Sequence, residues 1–446
     1  MKWRRILALA GMMGLLMLAW FAWPVYQFYG HRGQVPLGPL GWHSLPENAP
    51  SAEILEDTAY RAEAQRAMEA LQAQRTRIGL PALSAAVAIG GKRVWAGTVG
   101  WEDIESETPA TPETMFRIGS TSKAVTATGL ARLVESGHID LDTPIEAYLN
   151  PLPNEAWSSI TPRMLASHTA GLPHYGENTD VAGLYRTVAL GTEYKTMREA
   201  LDVFDSSEML HAPGTDFHYS SLGTVLLGAV MGAATDHPYR QVMHEQVFEP
   251  LGLTSIIVAP PSAHGTPHMA TSYVRQGDRF RPWRRVNQTH RLPAGGWAAT
   301  SSDLARLGSA WLDETFIDPA TCARFWTPQR LVSGEVNPQD YALGFRVRAY
   351  PVDAIGEAWN ANHGGVSRGG MSWLMIFPDF DMVLAFNTNA KPESGDFRDF
   401  GVAWQDLFAA FAQISRQPLH AGCSVIPPEM NARNEQNNGH PQADWP

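Results

Sequence analysis

Two apolar hairpins near opposite ends of the chain constrain its fold more than any other feature. Ala82–Ile89 and Lys92–Val99 are apolar-rich runs separated by Gly90-Gly91, the signature of a tight hairpin turn. Ser372–Phe377 and Met382–Asn387 flank P-D-F-D in the same manner. A lone two-stranded hairpin is barely stable in water, so the two are expected to join one antiparallel sheet. Helical patterns flank them, from Ser51 to about Arg77 and at about Asp396–Ser415. The long section between, roughly 102–355, mixes helical periodicity with Pro- and Gly-containing loops. The expected class is therefore α+β: an antiparallel sheet flanked by N- and C-terminal helices plus an inserted helical subdomain. A catalytic cleft would fall at the seam between sheet and helical part.

The N-terminus carries an address. Lys2, Arg4 and Arg5 precede an apolar run from Ile6 to Trp23, near the lower limit for crossing a bilayer. Trp20, Trp23, Tyr26 and Tyr29 gather at its far end, as interfacial aromatics do. No A-x-A pattern follows, so the run reads as an uncleaved anchor rather than a cleavable signal peptide. The basic end stays cytoplasmic, which sends the body across the membrane, with a bacterial periplasm as the expected compartment. Residues 30–50 are rich in Pro and Gly and read as a tether. The resulting division is 1–29 anchor, 30–50 tether, 51–416 catalytic domain and 417–446 flexible polar tail.

Composition narrows the partners. The net charge of -11, with no phosphate loop or basic helix, argues against nucleic acid. Cys322 and Cys423 lack zinc-finger spacing, and H-E-Q-V-F lacks the second histidine of a zinc-protease helix. No metal or cofactor is expected. Whether the two cysteines pair is not decided by sequence.

Three motifs carry chemistry. F-R-I-G-S-T-S-K contains S-x-x-K at Ser120 and Lys123, followed by a helical pattern ending near Gly137. That puts Ser120 at a helix N-terminus, with Lys123 one turn along on the same face. A serine hydroxyl needs a neighbouring base, and a lysine serves if burial keeps it neutral. The plain structural reading is an N-capping serine and an exposed lysine. P-G-T-D-F-H-Y-S-S places Tyr219 and Ser221 as Y-x-S, where a tyrosine near a lysine can shuttle protons as a partial phenolate. It also reads as a core tyrosine before a helix starting near Ser220. W-N-A-N-H-G-G-V-S-R-G-G contributes His363, Gly365 and Val366. Its glycines admit close backbone approach, so the Val366 N–H could join that of Ser120 as an oxyanion hole. His363 would then point into the cleft as a donor, or lie on the surface of a glycine-rich turn. His168 and His174, in S-H-T-A-G-L-P-H-Y, read as packing and loop hydrogen-bonding residues.

Together these motifs resemble the serine β-lactamase and penicillin-binding superfamily in its class C-like branch. That branch includes D-aminopeptidases, esterases and the mitochondrial β-lactamase-like serine protease. The family order is S-x-x-K, then Y-x-N, then K-T-G or H-x-G. Phrases such as L-A-S-H-T-A-G-L-P, F-E-P-L-G-L and P-A-G-G-W-A-A-T-S-S-D-L extend the likeness over about residues 55–412. The resemblance implies an acyl-enzyme on Ser120, with Lys123 and Tyr219 moving the proton. Ser221, His363, Gly365 and Val366 would bind a small-molecule or peptide substrate bearing an amide or ester. Two departures stand out. Ser221 replaces the family's asparagine and cannot offer an amide's donor and acceptor together, which argues against efficient β-lactam turnover. His363 replaces the lysine of the third motif, so carboxylate recognition by it should weaken as pH rises. The alternative class is a catalytically weak penicillin-binding sensor or a scaffold that keeps the fold.

Overall fold

The computed structural model describes residues 2–352, 356–394 and 397–412. Its centre is one antiparallel sheet of eight strands: β1 (Ser51–Leu55), β2 (Ala82–Ile89), β3 (Lys92–Asp103), β4 (Thr108–Pro109), β5 (Arg346–Val352), β6 (Gly356–Ser367), β7 (Gly370–Phe377) and β8 (Met382–Thr388). The order is β5-β6-β7-β8-β2-β3-β1, with β4 beside β3. Gly90 and Gly91 both have positive φ, which a type I′ hairpin turn requires. The two hairpins meet along β8 and β2, from Met382 opposite Ile89 to Thr388 opposite Leu83. They therefore form a single sheet, as the sequence demanded.

Side chains alternate across this sheet, and both faces are buried. Leu83, Ala85, Val87, Trp373, Phe377 and Phe386 face a layer formed by α2 (Arg61–Ile78) and a C-terminal helix ending at Ala412. Ala86, Ala88, Leu374, Ile376 and Val383 face the helical section instead. There α3 (Ser122–Glu135) and α4 (Ser221–Thr235) form the inner layer.

Two details differ from expectation. Ser51–Leu55 is strand, because its backbone completes the edge of β3, with Ser51 opposite Val99 and Leu55 opposite Trp95. The helix begins only at Arg61, after a turn in which Asp57 accepts a hydrogen bond from the Ala59 N–H at 2.9 Å. The segment 30–50 touches the domain where His43 and Ser44 pair with Phe280 and Arg279, and its Pro36 carbonyl accepts from the Tyr26 hydroxyl of the N-terminal helix at 2.6 Å. The N-terminal helix α1 (Lys2–His31) is long and apolar enough to cross a membrane from Trp3 onwards. The tail 417–446 and Cys423 lie outside the described residues, and with Cys423 goes the question of its pairing with the buried Cys322.

The outer layer is anchored by Trp95, fully buried, with its indole N–H donating to Glu53 at 2.9 Å and its ring 6.3 Å from Phe411. Trp95→Ala removes that packing, while the exposed Glu53 carboxylate turns to water. It should cost about 3–5 kcal/mol, read as a lower urea midpoint with an unchanged slope.

Candidate active site

The Ser120 turn is held by backbone rather than by side chains. Gly119 has φ +52, and a Cβ there would meet the Val366 carbonyl oxygen at 2.5 Å. Gly365 is as tightly placed from the other side: a Cβ on it would collide with the Ile118 carbonyl and lie 2.6 Å from the Thr121 nitrogen. The Thr121 hydroxyl donates to the His363 carbonyl at 3.3 Å. Strand β6 and the turn Gly119–Thr121 are thus in direct contact, and the turn feeds into α3. Ser120 is left half-buried at the floor of a cleft of about 800 Å³.

Lys123 lies behind it, 2 % exposed. Its Nζ is 3.3 Å from Ser120 Oγ, 3.0 Å from Ser221 Oγ and 3.0 Å from the Ala294 carbonyl oxygen. Burial, reinforced by the Arg291 and Arg346 guanidiniums, holds the amine well below the ordinary lysine range. A neutral amine has two N–H groups and one lone pair. With its two N–H groups on the two shorter contacts, such an amine would turn its lone pair to the Ser120 hydroxyl. Ala294, in the P-A-G-G segment, was not foreseen as a site residue; its carbonyl gives no sequence signal.

Tyr219 stands at the opposite side, just ahead of α4. The Lys123 Nζ sits 4.8 Å from its ring centroid and the Arg346 guanidinium 5.6 Å from it. Burial raises its phenol above the usual value, although Arg346 and the Ser120 hydroxyl pull it back. The tyrosine is therefore a neutral phenol near pH 7, not the partial phenolate expected. The helix start beside it is capped by Ser220, whose hydroxyl accepts from the Gly223 N–H at 2.9 Å. The two histidines find their role here. His168 Nδ1 accepts from the Ser220 N–H at 3.3 Å, and His174 Nδ1 accepts from the Ser221 N–H at 3.1 Å. Both rings must keep Nδ1 unprotonated to do so. Burial agrees, lowering His174 to about 3 and His168 well below its usual value.

Ser120, Tyr219, Ser221 and Val366 line the cleft, with Gly365 behind them in the strand–turn contact. His363 does not line it, and its expected role as a donor in the cleft is corrected. Strand alternation turns it inward opposite Leu374, where it is fully buried. Its Nε2 is 2.9 Å from the Tyr341 hydroxyl and its Nδ1 2.7 Å from the Gly364 carbonyl. Burial first, then Arg346, push its pKa well below 6.5, so it carries no charge for a substrate carboxylate. The cationic groups that do face the cleft are Arg32, Arg275, Arg291, Arg368 and Lys391, none of them anticipated. Arg291 directly precedes L-P-A-G-G, and Arg368 follows H-G-G-V-S, so adjacency to the motifs was the available signal. Among the described residues no group of three His, Cys, Asp or Glu side chains is placed to hold a metal ion.

A family model described as Beta-lactamase matches residues 64–406. The serine beta-lactamase-like protein LACTB, mitochondrial, of Mus musculus is 23% identical over 405 residues, covering 71% of this chain and 73% of that one. The crystal structure of a D-stereospecific amidohydrolase from Streptomyces sp. superposes with a TM-score of 0.62 at 25% identity, covering 78% of this chain and 98% of the other. EstCE1, a hydrolase with promiscuous acyltransferase activity, gives a TM-score of 0.65 at 22% identity over 79% and 99%.

Two outcomes follow from the geometry. Gly365→Ala should cost about 1–3 kcal/mol of stability and lower kcat more than it raises KM, because the displaced group is the Ser120 turn; calorimetry and steady-state kinetics read both. For a neutral ester, kcat/KM should rise about tenfold per pH unit while Lys123 deprotonates and then level off well below pH 10.5. A plateau reached only near pH 10 would remove Lys123 as the base.

Proposed function

This chain belongs to the beta-lactamase family, whose members are serine hydrolases, and from that premise we propose that it is a membrane-anchored hydrolase that cleaves a small ester, amide or peptide through an acyl-enzyme on Ser120. The observation that carries the reading is the buried Lys123 amine, pushed well below the ordinary lysine range by burial and set 3.3 Å from the Ser120 hydroxyl. In the mechanism proposed, Ser120 Oγ attacks the substrate carbonyl as Lys123 Nζ takes its proton. The oxyanion is met by the N–H groups of Ser120 and Val366 at the strand–turn contact. Tyr219, a neutral phenol within reach of Ser120, donates a proton to the departing group and is recharged by the Lys123 ammonium. Loss of the leaving group gives the acyl-enzyme, and water activated by the same pair releases the acid.

Support for an amide substrate comes from the likeness to a D-stereospecific amidohydrolase. Ser221 bears on what is excluded. Its hydroxyl is 1 % exposed and engaged by Lys123, so it is too short and too occupied to hold a substrate amide. This disfavours efficient turnover of penicillins. The division proposed is an anchor over residues 1–29, a connecting segment over 30–50, a catalytic domain over 51–416 and a tail beyond. With Lys2, Arg4 and Arg5 at its start, α1 orients the catalytic domain away from the cytoplasm.

Intact-protein mass spectrometry of the full chain in detergent tests this. A fluorophosphonate should add one adduct at Ser120, lost in Ser120→Ala, and a penicillin adduct should form and decay slowly. An unmodified, folded protein after fluorophosphonate treatment would leave the scaffold reading in its place.

A further inference from the structure

The cleft over Ser120 is built by two parts of the chain. One wall comes from the catalytic domain. The other comes from the end of α1 and the residues after it: Phe28, Tyr29, His31, Arg32 and Gly33 line the same cavity as Ser120 and Tyr219. The contact is specific. The His31 Nε2 accepts from the Arg284 N–H at 3.2 Å, and the Tyr185 hydroxyl donates to the Phe21 carbonyl at 3.3 Å. Phe28 lies 5.2 Å from the guanidinium of Arg32 and 5.2 Å from that of Arg368. The aromatic residues Trp20, Trp23, Tyr26 and Tyr29 mark the same end of α1 as the one that emerges from a bilayer. The catalytic serine thus faces a chamber beside the membrane surface.

The chamber is also charged against the grain of the molecule. The chain carries a net charge of -11, yet five cationic side chains line the cleft: Arg32, Arg275, Arg291, Arg368 and Lys391. Two carboxylates line it as well, and both are engaged. Glu177 is 2.6 Å from His218 Nε2, and Glu393 is 4.0 Å from Arg275. Arg275 further donates to the Ile78 and Gly277 carbonyls. Arg32, Arg291, Arg368 and Lys391 have no carboxylate partner among the described residues. Arg291 is only 6 % exposed, and the Nε atoms of Arg291 and Arg368 have no hydrogen-bond acceptor. Burial, together with these cations' mutual repulsion, lowers Arg368 to about 9 and Lys391 to about 8. A folded protein gathers unpaired cations at such a cost where an anion is to bind.

We propose that the cleft takes an anionic amphiphile presented by the membrane: an ester or amide whose carboxylate or phosphate is held by Arg32, Arg291, Arg368 and Lys391 while its carbonyl reaches Ser120. This rests on the reading of Ser120 as nucleophile and α1 as anchor. It supplies the anion-binding function that buried, neutral His363 cannot.

The test uses the full chain reconstituted in phosphatidylcholine vesicles and three esters: 4-carboxyphenyl laurate, phenyl laurate and the water-soluble 4-carboxyphenyl acetate. Wild type should hydrolyse the anionic laurate with a kcat/KM about tenfold or more above the neutral one, as one charge-assisted contact provides. That ratio should collapse in Arg368→Gln and recover in part in Arg368→Lys. Arg32→Gln, at an exposed position where folding is not at risk, should lower the ratio as well. A wild-type ratio near one, or a ratio that neither glutamine variant changes, would overturn the anion site. Faster hydrolysis of the acetate than of the anionic laurate would overturn membrane presentation. Fluorophosphonate labelling in the same vesicles keeps the premises separate: a labelled Ser120 with a ratio near one defeats only this inference, whereas no label defeats the hydrolase reading beneath it.

Discussion

The contact between the end of β6 and the turn at Ser120 fixes the relation of the two halves of the molecule. Neither Gly119 nor Gly365 leaves room for a single carbon, because each faces the other segment's backbone. A sheet and a helical layer packed through side chains would settle at whatever spacing those side chains allowed. Here the spacing is set by main chain on main chain, so the position of Ser120 relative to the Val366 amide is a property of the backbone. The rest of the site inherits that precision. α3 begins at the turn, so Lys123 is placed once the turn is placed, and α4 packs where Ser221 can meet the lysine.

What makes the lysine useful is an electrostatic cost the fold carries. A buried ammonium with no carboxylate beside it is strongly disfavoured, and the pKa of the amine falls well below the ordinary lysine range. The histidines around it follow the same logic. His168 and His363 are fully enclosed beside Arg346, His174 is half-buried beside Arg291, and all three are held neutral. Two of them use the bare nitrogen to accept backbone N–H groups at the start of α4. These are hydrogen bonds that a protonated ring could not make, so neutrality is part of how the segment carrying Tyr219 is held. The site sets buried bases in a positive field, with the phenols of Tyr219 and Tyr341 as weak acids among them.

Sequence made some of this legible for a physical reason and hid the rest for another. The hairpins were readable because Gly90-Gly91 encodes a local turn and the strands beside it are apolar on both faces. Ser120 and Lys123 were readable because helix geometry fixes the relation of residues three apart. Ser51–Leu55 was misread, since five residues with two adjacent apolar ones fit either period, and only the free edge of β3 decides between them. His363 was misread because the facing of a strand residue depends on register with its neighbour. Pairing with Leu374 sends it inward, where Tyr341 already fills the space. The arginines of the cleft were silent, as a charged residue in sequence reads as solvated surface until the fold removes its partners.

The inward turn of His363 changes where substrate specificity must be sought. With that ring buried and neutral, no charge is left at the third motif itself. Positive charge nonetheless collects one step away, on Arg368 just past β6, on Arg291 just before the segment that supplies the Ala294 carbonyl, and on Lys391 beyond β8. Each hangs from an element that also positions the Ser120–Lys123 pair or the strand beside it. The chain thus separates two tasks that a charged residue at the third motif would combine. The strand supplies shape and an amide, while residues at its margins supply charge. Because those margins face the end of α1, the charge lies on the side where the chain leaves that helix, and the chemistry lies beneath it. A substrate would then be sorted by its charged group before its carbonyl reaches the serine, which is the order in which a surface-bound amphiphile would enter.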